Sequence, residues 1–293
     1  MKDSTFTIVK LLVIILVITM LGSCHSSDND PVFLVMSGED SVTVSHDGFE
    51  DAKNAGFGVS RQEKYFEELE GKKINFLDNK DLIYQKSIVA YRSLNSNEIG
   101  SFYSVFDEYK SQDGLVEVRC IQGTNKPVYY SVNTSIKNDS SEKQIDEKQA
   151  QKIAEEFILE CFDEDMLDKY TLVDVSLSPT GLSYVVYYVR YIDGYSTEED
   201  IEVYLDMSGD IWGANFDNVE KFDNVSTKIT KKKLDSAYEQ LKEKIDSLEL
   251  KDVKINDPSI VTDVMGNVYL EISVSYTKID MTSTCDMFYI SIV

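Results

Sequence analysis

Four cysteines, two histidines and a large surplus of carboxylates set the chemistry open to this chain. A thiol–imidazole nucleophile needs the two side chains in contact. Here it would have to pair His46 with Cys120, Cys161 or Cys285, which are scattered along the sequence. Cys161 also falls on the apolar face of an expected helix, where it reads as a small buried hydrophobe. A serine triad would rest on the same His46, and no GxSxG elbow is present. The ligand spacings of a zinc site are absent, as are the glycine loops that cradle phosphates. Glu198-Glu199-Asp200 and Asp163-Glu164-Asp165 offer paired carboxylates. A glycosidase, however, needs an apolar cleft to raise one of its pair, and both runs fall at expected turns, where solvated charge is ordinary. The spaced acidic loop of an EF-hand is missing. The expectation is a non-enzyme with no catalytic residue, no metal site and no cofactor.

The remaining reactive group is at the N-terminus. Lys2 and Lys10 flank a polar start, an apolar run covers Leu11 to Leu21, and Leu21-Gly22-Ser23-Cys24 follows. Charged start, short apolar middle and small residues before a cut mark a secretory signal. The run is shorter than the roughly 20 apolar residues that span hydrocarbon. The last four residues resemble the bacterial lipobox, in which the cysteine thiol takes a diacylglycerol and becomes the new N-terminus. The resemblance implies residues 1–23 as signal peptide, Cys24 as the acylated residue, and a protein outside the cytoplasm held to the cell membrane by lipid. Cleavage before Cys24 removes two lysines and one aspartate and takes the net charge from −23 to −24. Such a chain is repelled by nucleic acid and by anionic lipid surfaces, so the acyl anchor must supply the membrane attachment. Cys120, Cys161 and Cys285 then remain. At most one pair of them can bridge, and a Cys120–Cys285 disulfide stays open.

The elements that would position a site follow from periodicity. Residues 24–58 read as a tether and an irregular segment, with Val32 to Met36 as a possible strand start. Residues 59–138 read as an N-terminal α+β unit. It has a helix over Ser60–Leu69, an ambiguous stretch at Leu82–Leu94, and strands at Ser101–Tyr109, Leu115–Ile121 and Val128–Val132. Residues 139–224 open on Ile145-Asp146-Glu147-Lys148-Gln149, a capping box with Ile145 and Ala150 at the staple positions. Ala150, Ile153, Ala154, Phe157, Ile158 and Cys161 then share one helical face. Strands follow at Tyr170–Leu177, Leu182–Ile192, Ile201–Asp206 and Ile211–Phe216, with a hairpin turn at Met207–Asp210.

The pattern recurs in residues 225–293. Ile229-Thr230 lies 84 residues after Ile145-Asp146. Leu234, Ala237, Tyr238, Leu241 and Ile245 repeat the apolar face, and Gly266 and Tyr276 lie 85 residues after Gly181 and Tyr191. Capped helix, glycine turn, tyrosine-rich long strand and short strand with a Ser-Gly-Asp turn resemble the PepSY-like group. The likeness is to the YcdB/YcdC-type repeat of bacterial envelope proteins, over residues 140–293, and Leu115–Val132 reads as the end of a degenerate first copy. The resemblance implies an α+β fold of tandem small units, each a helix packed on an antiparallel sheet of three to four strands. It implies no catalytic residue. It implies an exported protein that acts on extracytoplasmic hydrolases.

Tyrosine supplies the candidate binding residues. Tyr184 and Tyr188 share one face of a strand with Val186, and Tyr187 and Tyr191 share the other with Val185. A sheet with a helix on one side needs apolar residues on that side only. The surplus set either packs against a neighbouring repeat or forms a recognition surface, tested first at Tyr184 and Tyr188, since tyrosine joins contact area to a hydrogen-bonding tip. The expectation is a lipid-anchored, non-enzymatic envelope protein that binds and modulates a partner such as an extracytoplasmic hydrolase. The alternative is a receptor for a small ligand or peptide held between repeats. Palmitate labelling in cells should mark the wild-type protein and not Cys24→Ala; an unlabelled wild type contradicts the anchor.

Overall fold

The computed structural model describes residues 33–37, 42–44, 67–92, 103–133, 144–224, 228–248, 250–262, 267–277 and 282–292. The signal segment, Cys24, the tether, most of the expected helix at 60–69 and most of the linker after Val132 lie outside the described residues. Two helices form where the sequence caps them. Asp146 accepts from the Gln149 amide at 2.9 Å, and Gln149 Oε1 accepts from the Asp146 amide at 3.0 Å. This reciprocal pair satisfies amides that no earlier turn can reach, and α1 runs over Glu147–Cys161. Thr230 accepts from Lys233 N at the start of α2, Lys231–Asp246. Each helix buries one stripe: Ala150, Ala154, Phe157 and Ile158 in α1, and Leu234, Ala237, Leu241 and Ile245 in α2.

Strands, with one 3-10 turn at Met166–Lys169, make up the remaining regular elements. They are β1 (Phe33–Ser37), β2 (Val42–Val44), β3 (Lys73–Phe76), β4 (Asn79–Arg92), β5 (Tyr103–Lys110), β6 (Val116–Ile121) and β7 (Pro127–Val132) before α1. β8 (Tyr170–Leu177), β9 (Ser183–Ile192), β10 (Tyr195–Asp206) and β11 (Ile211–Asp217) lie between the helices. β12 (Lys251–Ile255), β13 (Ser259–Thr262), β14 (Val268–Thr277) and β15 (Ser283–Ser291) follow α2. The ambiguous stretch from Leu82 is thus part of a long strand. The β10–β11 hairpin turns on Asp206, whose Oδ1 accepts from Ser208 N and Asp210 N, both at 2.9 Å. Gly209 there has φ +96, and a Cβ would lie 3.0 Å from Ile153 Cδ1 of α1. Glycine is needed both for the backbone and for the approach of the helix.

All fifteen strands join one hydrogen-bonded sheet, with the path β1-β15-β14-β13-β10-β11-β7-β6-β5-β4-β2 and with β12, β3, β8 and β9 off it. This corrects the expected fold class. The α+β fold of tandem helix-on-sheet units, each with an antiparallel sheet of three to four strands, is not present. Strand accounts for 52% of the interpretable residues against 21% helix, and the sheet is mixed and continuous. Two pairings make it continuous. β7 joins β11 through Tyr129, Tyr130 and Ser131, and β10 joins β13 in parallel through Ser196↔Ser259 and Thr197↔Ile260. Neither is a hairpin, so local patterning could not reveal them.

Two further features set the geometry. Thr197 and Ile260 pair in register and therefore point to the same side. Thr197 alternates with Ile201 and Val203 of the cluster beneath α1, while Ile260 belongs to the cluster beneath α2. Both helices therefore cover one face. The ends of the path also meet in the chain, because β1 and β2 are separated by the step from Ser37 to Val42. Five residues span at most about 18 Å, whereas eleven flat strands would extend to about 48 Å. The sheet must curl. Ile88, Val261, Tyr269 and Tyr289 lie on the face opposite the helices and are buried as well. Replacing Asp146 with Ala removes one half of the capping box and should cost about 1 kcal/mol, or roughly 2–4 °C in Tm for a chain of this size. An unchanged melting curve would contradict the role of the cap.

Candidate binding face

β10 changes neighbours along one edge. Residues 200–205 pair with β11 and residues 196–197 with β13, while β9 pairs with the other edge on both sides of a bulge between Ser196 and Asp200. Glu198-Glu199-Asp200 lies at this fork. The expectation of solvated turn charge is therefore wrong for this run: the residues sit inside a strand, and each carboxylate has a separate task. Glu198 Oε1 accepts from the amide and the hydroxyl of Thr262 on β13, at 2.8 and 2.9 Å, and pairs with Lys221 at 2.9 Å. Glu199, fully buried, accepts from Arg190 NH1 at 3.0 Å, from Tyr170 OH at 2.7 Å and from the Phe222 amide. The same Arg190 nitrogen reaches Asp223 at 2.6 Å, and Lys169 holds Asp223 at 3.0 Å. Burial works against the Arg190 charge, but Glu199 and Asp223 outweigh it and raise the guanidinium pKa further. Burial, and then Glu199, push the Tyr170 hydroxyl up, so it remains a donor.

The tyrosines divide as their alternation requires. Tyr184 and Tyr188 are 6% and 3% exposed beneath α1, where Tyr184 OH donates to Ile145 O at 3.3 Å and Tyr188 OH reaches Glu155 at 3.4 Å. They are core residues, and no partner can reach them. Tyr187 is half-buried and Tyr191 is 43% exposed, and both stand on the face opposite the helices. Trp212 also reaches this region, with its ring 5.1 Å from that of Tyr204.

That opposite face carries a polar row seven strands wide. In register it runs Tyr187, Glu202, Asn215, Tyr129, Arg119, Glu108 and Lys86, from β9 to β4. Its two halves differ in charge balance. At β5–β6 every acid has a cation. Arg119 pairs with Glu117 at 2.7 Å and with Glu108 at 3.4 Å, and Lys110 pairs with Glu117 at 2.9 Å and with Glu108 at 3.3 Å. Arg119 also lies over the Tyr129 ring at 4.7 Å. At β10–β11 the face holds Asp200, Glu202 and Asp217, and among the described residues none of them pairs with a lysine or arginine. Glu202 is held by the Tyr204 hydroxyl and by Asn215 Nδ2 at 3.2 Å, both neutral donors.

The unbalanced charge perturbs its own chemistry. Burial, then Asp217 and Glu202, raise Asp200 to about 7. Asp217 rises as well, through the surrounding protein and Glu202, although its side chain keeps an open side to water. Tyr187 is pushed up to about 12 by burial and by the nearby carboxylates, so its hydroxyl stays protonated. Among the described residues no group of three His, Cys, Asp or Glu side chains is placed to hold a metal ion. Cys120, Cys161 and Cys285 are free thiols. Burial raises Cys120 to about 12 and Cys161 higher, which leaves both poor nucleophiles.

Sequence reasoning sorted Tyr187 and Tyr191 from Tyr184 and Tyr188 without saying which pair a helix would cover, set Asp200 aside as solvated charge, and missed Glu202, Tyr204 and Asp217. The signal was present: the alternation of Ile201, Val203 and Leu205 extends backwards through Glu199 and Thr197 without a break. Comparison with known protein families and with curated proteins finds no match for this chain.

Proposed function

We propose that the protein is a lipid-anchored, non-enzymatic binding protein of the cell envelope, whose partner presents basic side chains to the β9–β10–β11 face. One observation carries this reading. On a single sheet face, the carboxylates of β5 and β6 are neutralised by Arg119 and Lys110, while Asp200, Glu202 and Asp217 pair with no cation among the described residues. Lysine or arginine from another molecule would supply it. Charge-assisted hydrogen bonds to carboxylate are among the stronger polar contacts, and the rings of Tyr187, Tyr191 and Tyr204 offer cation–π contact worth about 0.5–1 kcal/mol at exposed sites. The net charge of −23 steers basic partners towards the protein and repels acidic ones.

The envelope address rests on the lipobox-like Leu21–Cys24. The PepSY-like kinship of residues 140–293 stays part of this reading. It is supported by the recurrence of helix caps 84 residues apart, and by two helices that cover the same face of the sheet. The partner class that this kinship suggests is an extracytoplasmic hydrolase with a basic surface segment. Among the described residues no helix is long and apolar enough to cross a membrane.

Cross-linking mass spectrometry on the full-length protein in intact source cells tests the reading. A reproducible envelope partner should appear, with its cross-links lost in Tyr187→Ala/Tyr191→Ala and in Glu202→Gln. The recovered complex should weaken as salt rises. A partner whose cross-links survive both variants, or whose binding is indifferent to salt, contradicts this docking face.

A further inference from the structure

Asp200 on β10 stands directly opposite Asp217 on β11, and Glu202 follows two residues along on the same face. Like charges directly opposite one another on antiparallel strands push the strands apart. This is the last β10–β11 rung before the fork; three residues earlier the same edge of β10 belongs to β13. Past this rung the β10–β11 backbone ladder ends, and a side-chain tie takes over, with Asn218 Nδ2 donating to Glu198 O at 3.0 Å. The groups facing Asp200 come from each packed strand. On β9, Val189 is its cross-strand neighbour, with Tyr187 and Tyr191 on either side. On β10, Glu198 and Glu202 flank it. On β11, Asp217 faces it and Asn215 lies beside Glu202. Lys221, in the loop beyond β11, pairs with Glu198. None of these brings a positive charge to Asp200.

We infer that the Asp200–Asp217 pair is a proton-operated switch at the fork: one proton held between the strands keeps the last β10–β11 rung closed, and its loss loosens that rung and completes the negative charge of the face. The chemistry of the pair sets the range. Burial, Asp217 and Glu202 hold Asp200 at about 7, so the switch operates around neutrality. In the unfolded chain an aspartate titrates near 3.9. Between those values the folded protein keeps a proton that the unfolded chain has lost. The contribution of this pair to stability is therefore greatest on the acid side and declines as pH rises towards 7. A cation docking on the face would expel the same proton, so binding should release protons and strengthen as pH rises. That second consequence rests on the docking proposal; the switch does not.

Thermal unfolding of the intact protein from pH 5 to pH 9 tests it, together with native-state amide exchange. Wild-type Tm should fall between pH 5 and 8. Asp200→Asn should flatten that fall and melt higher than wild type at pH 8. The amides of Phe216 and Asp217, corrected for intrinsic rates, should open more readily at pH 8 than at pH 6 in wild type and not in the variant. Superimposable wild-type and Asp200→Asn profiles over this range overturn the switch. Should Asp200→Asn not fold, carbon-13 carboxyl titration of Asp217→Asn decides the matter: the Asp200 midpoint should drop well below its wild-type value, and an unmoved midpoint overturns the proposal. A lysine-rich peptide separates the two readings. Several-fold tighter binding at pH 8 than at pH 6 supports the coupling. No binding at either pH, with the stability profile as expected, sinks the docking reading alone.

Discussion

The structure depends on what happens to Arg190 and Glu199. Both are charged and buried, at 8% and 0% exposure, at the place where β10 exchanges β11 for β13. Removing two such ions from water costs several kcal/mol each unless geometry and extra hydrogen bonds offset it. Here they do. Glu199 accepts from Arg190, Tyr170 and the Phe222 amide, and Arg190 is shared with Asp223. These groups come from β8, β9, β10 and the loop that leads to α2. Tyr170 belongs to the apolar cluster under α1 and Phe222 to the cluster under α2. The buried pair is thus the polar joint at which two apolar clusters meet on one sheet.

The fork explains why three consecutive acids can coexist in a strand. Successive side chains point to opposite faces, so Glu199 faces inward to Arg190, while Glu198 and Asp200 face outward. Glu198 is spent on Thr262 and secures β13, which otherwise meets β10 through only two residue pairs. Asp200 is left to the outer face, where Asp217 and Glu202 add to it. Fold and binding face are therefore coupled. The register that buries Glu199 is the register that exposes the unneutralised carboxylates.

Local signals were legible in the sequence. The Asp146–Gln149 box, the Asp206–Asp210 hairpin and the division of Tyr184 and Tyr188 from Tyr187 and Tyr191 each depend on residues a few positions apart. Alternation could sort the tyrosines into two faces but could not say which face a helix would cover. The sheet as a whole was not legible. Its continuity rests on β7–β11, β10–β13 and β1–β15, pairings between residues far apart in sequence. Nothing in the local pattern of Ser196-Thr197 or Phe33–Ser37 names Ser259-Ile260 or Asp286–Ile290 as neighbours. The apparent repeat of a capped helix and following strands suggested separate small units for that reason. The acids at 198–200 were misread because their number suggested solvent, whereas a single buried arginine turns one of them into a core residue.

A double-mutant cycle on Arg190 and Glu199 tests the central claim most directly, read as unfolding free energy. Arg190→Met and Glu199→Leu alone should each cost about 3–5 kcal/mol, because each leaves a buried charge without its partner. The double variant should cost clearly less than the two together, with a coupling of about 2 kcal/mol or more. Two single variants that each cost under about 1 kcal/mol and add without coupling would show that the fork is held by something other than this pair.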